Sequence, residues 1–237
     1  MKNILYRIIK MFRHWWYQDV AITMFDSRSN LSYVVKYSGN AKASDCLPML
    51  IALHGDGDSA NNFYEAALDQ FKVPARIILF EAPILHECGR VWPYSPAQYE
   101  EHGQAFCEAV DQLAIKYATV NKPVLLGFSG GGAMAYYQAV KHGDSYSYIF
   151  PISGLLLNEQ LGRGTFKSNA KVYAYHGKSD EVVPFSAAKK AVKILKKHKV
   201  CVSFTAFESG HQGMFSNMKA EITQTVEEKL DKLLRYE

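Results

Sequence analysis

A serine within a G-x-S-x-G motif is the first feature of the chain that predicts chemistry. The motif is formed by Gly127, Ser129 and Gly131, with an apolar, strand-like stretch over 124–127 before it and a helix-compatible stretch over 130–141 after it. A sharp turn from strand to helix needs glycine at the flanking positions, and it exposes the serine hydroxyl above the sheet. We therefore interpret Ser129 as a nucleophile. The alternative is a glycine-rich packing turn or a phosphate-binding loop, although neither a dinucleotide fingerprint nor a P-loop motif is present.

An acid and a histidine follow the serine in the order that a triad of this kind requires. Asp180 and Glu181 come just after a strongly predicted strand, at the edge where open α/β sheets bind ligands. Asp180 is the preferred acid, with an N-cap of the next helix as its alternative role. His211 lies in a glycine-flanked loop after the predicted strand 200–207, from which an imidazole can reach both serine and carboxylate. His198 lies in a lysine-rich helix and is predicted to be a surface residue.

The segment LHGDGDS, at 53–59, predicts an anion site. It follows an apolar strand and turns through glycine, which leaves backbone N–H groups without partners. The N–H groups of Asp56 and Gly130 are expected to form an oxyanion hole. His54 is interpreted as structural. The competing hypothesis, a divalent metal held by His54, Asp56 and Asp58, matches no established ligand spacing, so no metal is predicted.

Three apolar residues are candidates for the substrate pocket. Phe128 and Met214 flank predicted catalytic residues, and Trp92 lies in the loop RVWPYSP. Packing without substrate contact is the alternative for all three.

Strand-like and helix-like stretches alternate along the rest of the chain. Strands are predicted over 31–37, 49–54, 76–80, 124–127, 148–152, 172–176 and 200–207, and helices over 59–71, 97–117, 130–141, 184–197 and about 218–234. This alternation predicts a mostly parallel central sheet with helices on both faces. The stretch 155–170 is too short for a large cap domain. Residues 19–237 are therefore predicted to form a single α/β domain.

Composition excludes several classes of protein. The chain has 237 residues, of which 48% are hydrophobic and 21% charged, with a formal net charge of +4, as in an ordinary globular protein. The lysine run KKAVKILKKHK is interpreted as the solvated face of a helix, so no nucleic-acid partner is expected. Four scattered cysteines fit neither a disulfide scaffold nor a metal site, and they favour a cytoplasmic location. They are Cys46, Cys88, Cys107 and Cys201.

The first eighteen residues, 1–18, form a separate amphipathic segment in this prediction. At helical spacing, isoleucines and tryptophans share one face and basic residues the other. Charges interrupt the apolar run, so the segment is neither a good signal peptide nor a membrane span. Packing on the protein's own body or on a second copy as a homodimer is one interpretation. Peripheral contact with the inner face of a membrane is another, and disorder or a wrongly assigned start is the third.

Four motifs together resemble the phospholipase/carboxylesterase family of α/β-hydrolases, which includes bacterial carboxylesterases and acyl-protein thioesterases. They are LHGDGDS, GFSGGGAMA, HGKSDEVVP and SGHQ. The resemblance implies the α/β-hydrolase fold and hydrolysis of a small-molecule ester or thioester through an acyl-enzyme, without a cofactor. Dienelactone-hydrolase relatives are more distant, since they usually carry cysteine where this chain has Ser129.

The chain departs from the family pattern at three places. Family members commonly have an apolar residue where this chain has Asp56, and an acid there argues against strongly anionic substrates. Gly130 adds a glycine directly after the serine, and the basic segment 1–18 has no counterpart in the family core.

Other functions stay open beside a carboxylesterase or thioesterase. One is a lysophospholipase or lipase acting at a membrane surface, and another is a binding protein that keeps the fold without turnover. A peptidase is less favoured because the chain has no long accessory domain.

Overall fold

The computed structural model describes residues 24–26, 31–87, 89–162, 166 and 168–235. The predicted amphipathic segment 1–18 lies outside these ranges, so its contact with a membrane or with a second copy stays a prediction. Within the described ranges, no helix is long and apolar enough to cross a membrane.

The described part of the chain contains five α-helices and ten short to medium strands, eight in one mixed sheet and two in a separate hairpin. The strands are β1 Met24–Asp26, β2 Leu31–Ser38, β3 Met49–Leu53, β4 Ala75–Phe80, β5 Ile84–His86, β6 Gly89–Val91, β7 Val124–Phe128, β8 Tyr148–Ile152, β9 Lys171–Gly177 and β10 Cys201–Phe207. The helices are α1 Ala60–Phe63, α2 Pro96–Lys116, α3 Gly130–Lys141, α4 Phe185–Lys197 and α5 Lys219–Arg235. A π-helical turn, Tyr64–Leu68, continues α1, and 3₁₀ turns lie at Gly143–Ser145, Asn158–Leu161 and His211–Phe215.

Eight of these strands form the central sheet, in the order β1-β2-β4-β3-β7-β8-β9-β10. Strands β4, β3 and β7 to β10 run parallel, while β1 and β2 are antiparallel to their neighbours. The predicted mostly parallel sheet is confirmed. In its described part, the connection from β8 to β9 carries only the short 3₁₀ turn Asn158–Leu161, as expected for a fold without a large cap.

Helices cover both faces of the sheet, and the strands show this in their burial. In β3, Met49, Ile51 and Leu53 point to the cluster that includes residues of α2, α3 and α4. Leu50 and Ala52 point to the opposite cluster, with α1 and α5. All five side chains are fully buried. A strand that is buried on both faces has a continuous apolar sequence, and this pattern predicted β3.

The lysine-rich helix α4 confirms the interpretation of its charges. Its alanines, isoleucine and leucine face the sheet, and its lysines are exposed. His198, predicted to be a surface residue, is partly exposed, and its ring lies 5.6 Å from that of Phe166. Burial lowers the pKa of this histidine. His198 is the C-cap residue of α4.

Several elements differ from the sequence prediction. The helix predicted over 59–71 begins as expected, with the Ser59 hydroxyl accepting the Asn62 N–H, but its second half is the π-helical turn. Ala67 and Leu68 of that turn lie in the same buried cluster as Phe63 at the end of α1. The β5–β6 hairpin was not predicted, because its three-residue strands are mostly exposed and have no alternating pattern.

Candidate active site

Ser129 occupies a strained turn between β7 and α3. Its backbone has φ 53° and ψ −115°, in the region that side chains rarely adopt, and its N–H donates to the Ile152 carbonyl at 2.9 Å. A methyl group on Gly127 would lie 2.1 Å from the Gly131 carbonyl oxygen, and one on Gly131 would lie 2.5 Å from that of Leu53. Both flanking glycines are therefore required by close backbone contacts, and the strain at Ser129, about 1–3 kcal/mol, is borne by the surrounding sheet.

The structure brings Ser129, His211 and Asp180 into one hydrogen-bonded line. His211 Nε2 lies 2.9 Å from Ser129 Oγ, and its Nδ1 lies 2.9 Å from Asp180 Oδ2 and 3.0 Å from Oδ1. His211 is 5% and Asp180 6% exposed. A carboxylate only accepts, so Nδ1 carries the proton and Nε2 presents a lone pair to the serine hydroxyl.

Asp180 is fixed in place by its own loop. The N–H groups of Val182 and Val183 donate to Oδ1 at 3.0 and 2.8 Å. The alternative N-cap role for Asp180 is not seen, because Pro184 holds that position and the carboxylate is used inside the loop. Glu181, the other candidate acid, is exposed, and its carboxylate lies beside Gly210.

A second histidine, His176, contacts the same carboxylate. Its Nε2 lies 3.3 Å from Asp180 Oδ2 and 2.8 Å from the Val183 carbonyl oxygen. The side chain is fully buried, and burial lowers its pKa. Sequence reasoning did not single out His176, although it opens the motif HGKSDEVVP that supplied Asp180.

The predicted oxyanion-hole residues meet beside the serine. A methyl group on Gly55 would touch the Phe128 ring at 3.1 Å and Ser129 Cβ at 3.4 Å, so the loop carrying Asp56 runs directly past the serine. Gly130 is the first residue of α3, where helix N–H groups have no intrahelical acceptor. Within the described residues, neither the Asp56 N–H nor the Gly130 N–H has a protein acceptor.

His54 holds this loop in place. Ala82 N–H donates to His54 Nε2 at 3.0 Å, so the ring proton is on Nδ1, which lies 2.6 Å from the Gly55 carbonyl oxygen. The ring is fully buried, and both of its nitrogens are occupied, which matches the structural role expected for it. In the parts of the chain that the structure describes, His54, Asp56 and Asp58 form no cluster suited to a metal ion.

The three candidate pocket residues are buried around the site. Phe128 packs against the His211 ring at 5.1 Å and edge-on against Phe215 at 4.8 Å. Trp92 lies in one apolar core cluster and donates from its indole N–H to the His54 carbonyl at 2.7 Å. Met214 lies in the other cluster. Phe128 thus touches a triad side chain, whereas Trp92 supports the loop before Asp56.

Comparisons with known proteins agree with the motifs. The profile of the family described as Phospholipase/Carboxylesterase matches residues 95–230, more than half of the chain and three of its four motifs. The resemblance predicted from the sequence is confirmed. A search of curated proteins finds no match.

Solved structures share the fold at low identity. A carboxylesterase from Mesorhizobium loti superposes with a TM-score of 0.71 at 15% identity, over 86% of this chain and 98% of that chain. A carboxylesterase from Bacillus cereus gives 0.66 at 16%, over 86% and 94%. An alpha/beta hydrolase from a Medee basin deep-sea metagenome library gives 0.61 at 16%, over 90% and 96%. The predicted α/β-hydrolase fold is confirmed.

Proposed function

The chain belongs to the phospholipase/carboxylesterase family and hydrolyses esters, and from this premise we propose that it is a serine esterase with Ser129 as nucleophile, His211 as base and Asp180 as orienting acid. The observation that carries the proposal is the continuous line of hydrogen bonds, 2.9 Å from Ser129 Oγ to His211 Nε2 and 2.9 Å from His211 Nδ1 to Asp180 Oδ2. Its substrates are carboxylic esters or thioesters of small molecules.

The first half of the reaction forms an acyl-enzyme. Ser129 Oγ attacks the carbonyl carbon while His211 Nε2 takes the hydroxyl proton, and the carbonyl π electrons move onto oxygen. Asp180 accepts the Nδ1–H bond throughout and stabilises the imidazolium. The intermediate then collapses, the bond to the leaving alcohol or thiol breaks, and His211 returns the proton to that group.

The second half repeats these steps with water. His211 removes a proton from water, the hydroxide attacks the acyl carbon, and Ser129 leaves with the proton as the carboxylic acid is released. The free N–H groups of Asp56 and Gly130 supply the donors for the oxyanion in both halves. A donor of this kind contributes about 3–4 kcal/mol to transition-state stabilisation.

A second candidate, hydrolysis of lipid esters at a membrane surface, rests on the positions of exposed apolar residues. Leu85 is exposed in the β5–β6 hairpin that follows β4, and Leu157 and Val182 are exposed on the loops that follow β8 and β9, at the edge that carries the triad. Tyr94 is also exposed, on the loop before α2. Activity that rises sharply when a long-chain ester passes its critical micelle concentration would favour this candidate over hydrolysis of dissolved esters.

The test of the proposed function is hydrolysis of p-nitrophenyl esters from acetate to octanoate by three proteins. Ser129→Ala removes the nucleophile, and Ser203→Ala, at an exposed position of β10, is the matched control. We expect the control to keep full activity and Ser129→Ala to lose at least about 10³-fold in kcat. Equal turnover by wild type and Ser129→Ala would remove Ser129 as the nucleophile and with it the proposed mechanism.

A further inference from the structure

The carboxylate of Asp56 is wedged between α3 and the loop after β6. The Trp92 N–H donates to Asp56 Oδ1 at 2.7 Å, and a methyl group on Gly130 would lie 2.4 Å from both carboxylate oxygens. That distance is shorter than any side chain tolerates. The carboxylate therefore occupies the space that a side chain at position 130 would fill, so Asp56 and the glycine after the serine form one coupled feature.

This carboxylate lies beside the two amides that would bind the oxyanion. It belongs to the same residue as one amide and is in contact with the Cα of the other. A fixed negative charge here opposes the negative charge that develops on the substrate oxygen. The carboxylate therefore destabilises the transition state of neutral and anionic substrates. A positive charge on the substrate would offset this repulsion.

The described part of the protein does not supply that positive charge. No lysine or arginine in the described ranges forms an ion pair with Asp56. Burial of the carboxylate raises its pKa, against the lowering effect of the Trp92 N–H that it accepts. Part of Asp56 is nevertheless open to solvent, so a ligand can reach it.

We propose that Asp56 is a specificity-determining residue that binds a positively charged group, such as an ammonium, carried by the substrate close to its scissile ester. This inference rests on the proposed function, because it places the cation relative to an ester carbonyl attacked by Ser129. The cation would complete a charge-assisted contact with Asp56 and remove the repulsion that the carboxylate exerts on the oxyanion. Esters of amino alcohols and of amino acids carry such a group.

The test compares esters that differ only by a nitrogen cation or a carbon atom. Butanoylcholine is paired with 3,3-dimethylbutyl butanoate, and the methyl ester of trimethylglycine with methyl 3,3-dimethylbutanoate, so that the charge lies on either side of the carbonyl. Asp56→Asn keeps the oxygen that accepts the Trp92 N–H and removes the charge. Asp58→Asn, two residues further along the same loop, is the matched control. Titration of released acid gives kcat/KM for each.

We expect the ratio of kcat/KM for the cationic over the neutral ester to fall on the order of tenfold in Asp56→Asn for at least one pair. Asp58→Asn should keep the wild-type ratio. The intrinsic reactivity of each ester cancels in this comparison, because every protein meets the same pair. An unchanged ratio in both pairs overturns the proposal. So does an equal gain in turnover of all four esters, since the carboxylate would then act on the oxyanion alone.

A measurement on the wild type keeps the proposal testable if Asp56→Asn does not fold. Added sodium chloride should lower kcat/KM for the cationic ester and leave the neutral isostere unchanged, because salt screens a partly exposed charge contact. Equal salt dependence of the two esters overturns the proposal. Failure of the proposed function looks different, since neutral esters would then be hydrolysed without dependence on Ser129.

Discussion

The two ends of the central sheet each bury a charged side chain, and they stabilise it in different ways. At the C-terminal end of β9, Asp180 accepts two backbone N–H groups and contacts two histidines. Near the start of β4, Arg76 is 1% exposed and donates to the carbonyl oxygens of Ala43, Asp45 and Tyr117. Both charges are hydrogen-bonded, as buried charges must be.

The two buried charges differ in whether their hydrogen-bond partners can exchange a proton. The Arg76 guanidinium lies over the rings of Tyr37 and Tyr117, at 5.7 and 5.0 Å from their centroids, and its acceptors are neutral carbonyls. Arginine stays protonated throughout the working pH range, so this end of the sheet has no proton to move. Asp180 is instead bonded to an imidazole that reaches a hydroxyl. A buried charge marks a candidate site only where a titratable neighbour is coupled to it.

The largest expected effect comes from neutralising Asp180 without changing its shape. In Asp180→Asn, the amide can donate to His211 Nδ1 and favour the wrong imidazole tautomer. We expect kcat to fall by about 10⁴-fold, with little change in the circular dichroism spectrum. Glu181→Gln is the control at the neighbouring exposed acid, and it should keep wild-type activity. Comparable losses in the two variants would remove Asp180 from the proposed triad.

Removing the buried charge of Arg76 should lower stability and leave activity unchanged, the opposite of the effect expected for Asp180→Asn. Arg76→Met leaves three carbonyl groups without their donors, and we expect the free energy of unfolding to fall by about 3 kcal/mol. Urea denaturation measures this loss. The kcat/KM of the folded protein at 25 °C should stay within about twofold of wild type, because Arg76 and the triad lie at opposite ends of the sheet. A loss of activity in protein shown to be folded would contradict the separation of the two ends.

The sequence predicted the charged residue at the C-terminal end of the sheet, Asp180, but not the buried Arg76 at the other end. The strands before Ser129 and Asp180 are largely apolar, the strand before His211 alternates polar and apolar residues, and the residues after these strands follow a known chain order. The sequence thus predicted which three residues meet, because the C-terminal ends of parallel strands share one edge. Nothing local predicted Arg76, whose acceptors are backbone carbonyls from two distant loops.

The sequence also did not predict the tertiary contacts that position the residues of the site. His176 and Asp180 are four residues apart, yet their contact depends on the turn after β9 rather than on helical spacing. The coupling of Asp56 with Gly130 joins two loops that are far apart in the chain. Trp92, a predicted pocket residue, donates its backbone N–H to Asp56 and its indole N–H to the His54 carbonyl, which the sequence did not predict. Such roles depend on tertiary distances and have no periodic signal.

The buried residues at the two ends of the sheet should also differ in how they affect the pH dependence of stability. Burial lowers the pKa of His176 in the folded protein, whereas an unfolded histidine titrates at about 6.5. Above that pH both states are neutral at this residue. As the pH falls through that value, the unfolded chain binds a proton that the folded protein resists, so stability is lost toward the folded pKa.

The measurement compares the free energy of unfolding at about pH 7.5 and pH 5 in wild type and in His176→Gln. We expect the decrease on acidification to be smaller in His176→Gln. Arg76→Met should show the same decrease as wild type. An identical decrease in wild type and His176→Gln would mean that His176 is not held neutral by burial.

The smallest expected effect concerns an ion pair at the triad's own end of the sheet. Lys178 and Glu208 follow β9 and β10 and are 47% and 77% exposed. Solvent screens such a pair, and holding two mobile side chains together costs conformational entropy. Glu208→Gln should therefore change the free energy of unfolding by no more than about 1 kcal/mol, and the change should shrink in about 1 M salt. Because Lys178 lies two residues before Asp180, a large effect here would show that proximity to the triad, rather than burial, sets the cost of removing a charge.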